Sequence, residues 1–325
     1  MLMKISKGLT RQEIYATGQE IVDFLGGDRY TDASGKRRRR YIIDEEEKRH
    51  VVTFSDPKLL TDTVRIRKLK PLTKSLTVDR LVHSFPRITK YDRVSEWHDD
   101  NLYKGVWSPC IDTLILTDSI RNHGDILTEK VKTITDATAA SGYIGKYAAW
   151  KCANAQELYL VDVNPNAIKC QFDNTRDLQK RKKKLRIGYF TMDARNLPEK
   201  KFDLVSVSPP YLPREDPIGY SHFEGVDLLY YMIAKGKRFL TNVGQLIITT
   251  SSLCEDITKK AIDRAKNKGL KSVEVIGEKH IPLKVLSVLN NKEWMAYLFN
   301  RGLKATNEHG YPYWHDVRIL KLEYH

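Results

Sequence analysis

The 325 residues include 55 Lys and Arg against 41 Asp and Glu, a formal net charge of +14, which favours polyanionic partners, nucleic acid first among them. No apolar run reaches the roughly 18 residues that span a bilayer, and Met1-Leu2-Met3-Lys4 opens without the apolar segment of a secretory signal, so a soluble, cytoplasmic protein with no membrane partner is expected. Cys110, Cys152, Cys170 and Cys254 are far apart with no Cys-x-x-Cys, which excludes a disulfide scaffold and argues for reduced thiols and no metal site.

Thr10-Arg11-Gln12-Glu13 has capping-box spacing. The amphipathic run behind it (Ile14, Ile21, Val22, Phe24, Leu25) stops at Gly26-Gly27, predicting a helix. A charged, hairpin-like stretch follows, with a basic run from Lys36 to Arg40 and an acidic one from Asp44 to Glu47. Val51 to Phe54 and Thr63 to Arg67 alternate like strands. Residues 1–100 read as a smaller basic α+β unit, with nucleic-acid docking its candidate role, and residues 101–325 as a second unit.

In the second unit the pattern changes to strands alternating with helices. Helices are predicted over Ile111–Ile120, Ile144–Ala153, Pro165–Leu178, Asp227–Leu240 and Thr258–Lys268, the last stopping at Gly269. Strands are predicted over Val131–Thr135, Leu158–Asp162, Lys184–Phe190, Phe202–Val207 and Gly244–Thr250. That alternation implies an α/β fold with a doubly wound, mostly parallel sheet, whose ligands sit at the carboxyl ends of its strands.

Three of those strand ends carry residues suited to a nucleoside. Asp136-Ala137-Thr138-Ala139-Ala140-Ser141-Gly142 leads from the first strand into a helix, and its small residues let backbone N–H groups approach a ligand. Asp162 closes the second strand, where an acid can accept ribose hydroxyls, and Asp193 follows the third, within reach of an adenine amino group. A dinucleotide fold competes, but the G-x-G-x-x-G fingerprint is incomplete here. At the fourth strand end stands Ser208-Pro209-Pro210-Tyr211. Two prolines fix φ and remove N–H donors, leaving Ser208 Oγ and the Pro209 carbonyl to accept from a flat amino group while Tyr211 stacks on it. Such an amine is a poor nucleophile because its lone pair is delocalised. Acceptors on its N–H hydrogens favour the pyramidal form that can attack a methyl carbon.

These residues resemble class I S-adenosylmethionine-dependent methyltransferases, and within them the amino-methyltransferases with an (Asn/Asp/Ser)-Pro-Pro-(Tyr/Phe/Trp) motif. The resemblance implies a Rossmann-like, seven-stranded methyltransferase domain and S-adenosyl-L-methionine as cofactor. It assigns cofactor contacts to Asp136, Thr138, Ala140 and Gly142 in the turn, to Asp162-Val163 and to Asp193-Ala194, with Ser208 at the junction with the acceptor. Trp107-Ser108-Pro109-Cys110-Ile111-Asp112-Thr113 is similar to the segment that helps hold the methionine end, which adds Ser108, Pro109, Asp112 and Thr113. Ser208, Pro209, Pro210 and Tyr211 would be catalytic. The turn keeps only Gly142 of the usual glycines.

The acceptor stays open. A base amino group in DNA or RNA (cytosine N4, adenine N6 or guanine N2) is favoured by the charge, with Arg37, Arg38, Arg39, Arg40, Lys182 and Lys183 as candidate phosphate contacts. Ser in the first motif position resembles cytosine-N4 enzymes, whereas a motif placed after the glycine turn resembles adenine-N6, guanine-N2 and glutamine-N5 enzymes. The alternative is a glutamine N5-methyltransferase acting on a translation factor, which the Ser108–Thr113 segment resembles. An inactive methyltransferase-like binding module is the third reading. Tyr220, His222 and Phe223 are candidates for the rim of the cup.

Overall fold

A computed structural model describes residues 29–31, 37–39, 41–44, 49–54, 87–99, 102–198, 200–215, 226–283, 285–306 and 312–325. The helix expected over residues 11–25, the strand over 63–67, and Tyr220, His222 and Phe223 lie outside these. Arg40 does too, whereas Arg37, Arg38 and Arg39 form a short strand.

In the N-terminal part, β1 (Arg29–Thr31) pairs antiparallel with β2 (Arg37–Arg39), so the basic run pairs with the segment before it and not with the acidic run that follows. A four-stranded sheet follows in the order β3 (Tyr41–Asp44), β4 (Arg49–Phe54), β5 (Arg87–Tyr91), β6 (Val94–His98). The β5–β6 hairpin turns at Asp92 and Arg93, with φ of 44° and 71°, the two positive values of a type I′ turn.

The rest is a single alternating run. It comprises α1 (Ile111–Asn122), β7 (Thr133–Asp136), α2 (Tyr143–Lys151), β8 (Glu157–Asp162), α3 (Asn166–Arg181), β9 (Arg186–Thr191) and β10 (Phe202–Val207). Then come α4 (Asp227–Lys235), β11 (Leu240–Ser251), α5 (Glu255–Lys266), β12 (Leu270–Pro282), α6 (Leu286–Leu289), α7 (Lys292–Asn300) and β13 (Trp314–Tyr324). Seven strands form one sheet in the order β12-β13-β11-β10-β7-β8-β9. β7 to β11 are joined by parallel ladders, and only β13 runs against its neighbours. The expected doubly wound, seven-stranded sheet is therefore present.

Boundaries differ where packing overrides pattern. The helix expected over Asp227–Leu240 ends at Lys235, a 3-10 turn covers Gly236–Phe239, and Leu240 already pairs with Phe202. A Cβ on Gly236 would lie 2.6 Å from the Tyr324 hydroxyl, so the chain there is pressed against the last strand. α3 begins after Pro165, which caps it, and runs on to Arg181.

The sheet divides the core in two. Ile115, Leu116 and Ile120 of α1 and Tyr147, Ala148 and Ala149 of α2 pack on one face with Leu158, Leu204 and Ile319. Leu229, Met232 and Ile233 of α4 and Ala261 and Ala265 of α5 pack on the other with Val205, Leu246 and Leu322. The β5–β6 hairpin joins the first layer through Tyr91 and Val94. Polar anchors hold it there. Tyr147 and Lys151 reach Asp92 at 2.9 and 2.6 Å, and buried Lys146 donates to the Ser95 carbonyl at 2.6 Å.

Candidate active site

The parallel strands end together at Asp136, Asp162, Thr191 and Val207, and the predicted site residues follow at or next to these ends. After β7 the chain makes a tight turn. Ala140 has φ +45° and Gly142 φ +96°, left-handed values that glycine adopts without cost and alanine only under constraint. The constraint on Ala140 is visible. Its amide donates to Asp162 Oδ2 at 2.8 Å and its carbonyl accepts from Gln171 Nε2 at 3.0 Å. Asp162 Oδ1 accepts the Asn164 amide at 2.8 Å, so this carboxylate ties the turn to the end of β8. The Ala140 amide, expected to face a ligand, is thus satisfied within the protein. Val163, beside Asp162, is half-buried.

Asp136 is fully buried, and its Oδ2 accepts the Gly145 amide at 2.9 Å. Its Oδ1 is buried without a hydrogen-bond partner among the described residues. Burial pushes its pKa up to about 7, against the pull of the Gly145 and Thr138 amides, and the nearby Asp162 adds repulsion. Burial also raises Asp162, opposed by the amides that it accepts.

The third acid behaves differently. Asp193 caps a 3-10 turn over Ala194–Asn196, accepting the Arg195 amide at 2.8 Å, and both its oxygens accept from the Arg195 guanidinium. The residue expected to meet an adenine amino group is therefore engaged by Arg195. Ala194 behind it is buried.

The cup is suspended from several elements. The Ser208 amide donates to Thr138 Oγ1 at 2.8 Å, linking it to the turn after β7. Pro209 is buried, while Ser208, Pro210 and Tyr211 are half-buried. Tyr211, expected as a stacking platform, is fixed by its hydroxyl, which donates to Asp112 Oδ2 at 3.0 Å. Burial and the Asp112 carboxylate raise its phenol pKa well above the usual value. Asp112 lies in the first turn of α1, where Oδ1 accepts the Thr113 amide at 2.9 Å and the Cys110 thiol. Thr113 Oγ1 in turn accepts the Cys110 amide at 3.3 Å. Ser108 and Pro109 are buried just ahead of the helix.

Several residues at this edge carried no recognised signal in the sequence. His315, at the start of β13, has its ring centroid 6.0 Å from that of Tyr211. Burial lowers its pKa to about 4, so it is neutral at pH 7, and Nδ1 lies 2.9 Å from Ser251 Oγ. Ser251 Oγ also accepts the Leu253 amide at 3.2 Å. Trp294 of α7 donates from Nε1 to the Pro213 carbonyl at 2.7 Å. The aromatic density of residues 294–314, with Trp294, Tyr297, Phe299, Tyr311, Tyr313 and Trp314, was the available clue.

The proposed phosphate contacts are elsewhere. Lys182 and Lys183 follow α3 and precede β9, at the amino end of the parallel strands. Lys182 Nζ points inward and donates to the Cys152 carbonyl at 2.5 Å, and burial lowers its pKa. It caps α2 and does not stand free for a phosphate. Lys183 is exposed.

S-adenosylmethionine fits the carboxyl edge. Asp162 retains lone pairs for hydroxyls, and the turn is too tight for larger side chains. A Cβ on Gly142 would lie 3.2 Å from Leu160 Cδ1, and one on Gly145 only 2.6 Å from Leu160 Cδ2.

Fold and site together define a class I S-adenosylmethionine-dependent methyltransferase. The pattern of the family described as "methyltransferase small domain" matches residues 113–276, and the chain belongs to that family. It is similar to a candidate protein N5-glutamine methyltransferase of Methanocaldococcus jannaschii, 27% identical over 198 residues, which is 58% of this chain and 92% of that protein. Among solved structures, the M. jannaschii tRNA m1G37 methyltransferase superposes with a TM-score of 0.43 at 16% identity, covering 74% of this chain and 56% of that one, about half its length. P. horikoshii TYW2 in complex with MeSAdo gives 0.44 at 11% identity over 87% and 90% of the two chains. Likenesses this distant add nothing to the topology already described.

Proposed function

We propose that this protein transfers the methyl group of S-adenosylmethionine to the side-chain amide nitrogen of a glutamine in a protein acceptor. The observation that carries the reading is the bond between Tyr211 and Asp112 at 3.0 Å, which brings a carboxylate to the cup. An amide –NH2 presents two donors, and its nitrogen becomes nucleophilic only when both are held out of conjugation. Ser208 Oγ and the Pro209 carbonyl supply acceptors, and Asp112 supplies a charged one that Ser208 alone lacks. Asp112 thereby offsets the departure of Ser208 from the Asn found in glutamine enzymes. The cofactor would supply a methyl group carried on a sulfonium sulfur, which leaves as a neutral thioether while the acceptor nitrogen gives up one proton to solvent. The protein's own part is to orient the nitrogen, exclude water and keep Tyr211 in place.

The sequence balance favoured a nucleic-acid base, and two considerations turn it. The relative of M. jannaschii that aligns over 198 residues is described as acting on protein glutamine. The basic run at Lys182 and Lys183 precedes the six-residue strand β9, three strands from β10, so it lies more than about 20 Å from the cup, at the amino end of the strands. A base amino group remains the second reading, favoured by the net charge of +14.

The test is an incubation with tritiated S-adenosylmethionine and, separately, a recombinant translation release factor, total RNA and total DNA. Peptide and nucleoside mass analysis follows. N5-methylglutamine in the release factor is the expected product. Label confined to nucleosides overturns the amide reading, and no label with no cofactor binding by calorimetry overturns the enzyme.

A further inference from the structure

Among the described residues between β12 and β13, residues 283, 285–306, 312 and 313 form an insert that includes α6 and α7 and touches β13 through a bridge of Lys304 with Trp314. The insert builds its own apolar cluster from Leu283, Val288, Trp294, Met295, Leu298 and Leu303, closed by Leu253 from the end of β11. Arg301 ties it to the turn after β11 and to α5, donating from Nε to the Leu253 carbonyl at 2.6 Å and pairing with Asp256.

The insert also grips the chain that leaves the cup. Leu212 packs against its cluster, and the Arg214 guanidinium lies 5.0 Å over the Trp294 ring. Between them the Pro213 carbonyl accepts the buried Trp294 Nε1–H at 2.7 Å. That carbonyl belongs to an arm without regular secondary structure. The cup is thus held at Ser208 by Thr138, at Tyr211 by Asp112 and at Pro213 by Trp294. The first tether comes from the cofactor turn and the second from α1. The third comes from α7, in the insert between β12 and β13.

Resting on the methyl-transfer reading, we propose that Trp294 is a positioning residue: through the Pro213 carbonyl it fixes the downstream wall of the acceptor recess, so that the 283–313 insert sets the geometry in which Tyr211 meets the acceptor. It touches neither the cofactor turn nor the reacting atoms. Its loss therefore slows transfer without weakening cofactor binding, because misplacement of a recess by a fraction of an ångström is felt in the reaction step.

The experiment uses the full chain. Trp294→Phe keeps an aromatic ring, smaller than the indole, and removes the donor, while Leu303→Ala removes volume from the same apolar cluster without touching that hydrogen bond. Two readouts are taken: single-turnover methylation of the release factor and of total RNA, and the 19F spectrum of protein carrying 3-fluorotyrosine at position 211 with S-adenosylhomocysteine bound. Trp294→Phe is expected to slow methylation roughly tenfold, leave cofactor affinity within about twofold, and broaden or split the fluorine line. Leu303→Ala is expected to melt earlier, yet to keep a single line and a rate within about twofold of the parent. A rate and line in Trp294→Phe matching the parent overturn the proposal, as does equal loss in both variants. If the parent methylates neither acceptor, the substrate reading fails on its own, and an unbroadened line in Trp294→Phe still overturns the clamp.

Discussion

Asp136 gives the apo protein a stability that falls as the solution becomes less acidic. Its carboxyl is fully buried, with one oxygen on the Gly145 amide and the other without a partner among the described residues. Burial moves its pKa from 3.8 to about 7. In the unfolded chain the proton leaves near pH 4; in the folded protein it stays until about pH 7. Between those values the folded state binds the extra proton, so the contribution of this group is complete below about pH 4 and drains away as pH rises to about 7. At about 1.4 kcal/mol for each tenfold change in proton affinity, the loss amounts to ~4 kcal/mol across the window. Asp136→Asn is neutral at every pH. Its amide oxygen can still accept from Gly145, and any cost of its buried –NH2 does not depend on pH. Urea unfolding of both proteins from pH 4.5 to 8 isolates the effect in their difference. The parent is expected to lose ground to the variant steadily up to about pH 7, then run parallel to it. A flat difference, or one in which the parent gains with pH, would show that the acid ionises normally and that the buried-proton argument is wrong.

Thr138→Val removes the acceptor for the Ser208 amide and is expected to slow methyl transfer about tenfold, whereas Thr138→Ser keeps it and the rate; equal loss in the two would deny the tether. Asp162→Ala orphans the Ala140 and Asn164 amides and should weaken cofactor binding by more than about 30-fold in calorimetry, with ~2 kcal/mol of stability lost. Cofactor affinity within about threefold of the parent would place the ribose elsewhere. Gly145→Ala pushes a methyl to 2.6 Å from Leu160 Cδ2 and 2.9 Å from Asp136 Cβ, at an expected cost of about 1–3 kcal/mol in urea unfolding. A cost under about 0.5 kcal/mol would mean that α2 moves freely on β8.

The architecture was legible where strand and helix are each short and sequential. β8 and β10 lie within one residue of their expected ranges because buried parallel strands write themselves as apolar runs between turn residues. β12 and β13 were not assigned. β12 is 13 residues long, largely half-exposed and bulged in two places, so its apolar residues do not alternate cleanly. α4 was overextended to Leu240 because Phe239 and Leu240 continue its apolar stripe; only the ladder of Phe202 with Leu240 makes the latter a strand residue. That pairing spans 38 positions, beyond any local pattern.

The same contrast separates the two halves of the site. The cofactor side is assembled from short-range pieces: Asp136, the turn to Gly142 and Gly145 lie within ten consecutive residues, and Asp162 joins them from the next strand. A residue pattern can carry that. On the acceptor side, Tyr211 is held by Asp112 and neighboured by His315, and Pro213 by Trp294, partners 81 to 104 positions away that no spacing rule connects. A Tyr in a Pro-Pro-Tyr motif read alone is an open aromatic face; given a carboxylate on its hydroxyl, it becomes a fixed wall with a charged acceptor beside it. The difference bears on substrate. An open face would suit any flat base, whereas in the reading we propose a fixed ring flanked by Asp112 suits a small –NH2 group whose hydrogens must be held out of plane. On the proposed amide reading, elements that the motif does not contain would choose the acceptor, which is why the four residues of the cup point to the chemistry but not to the molecule that receives the methyl group.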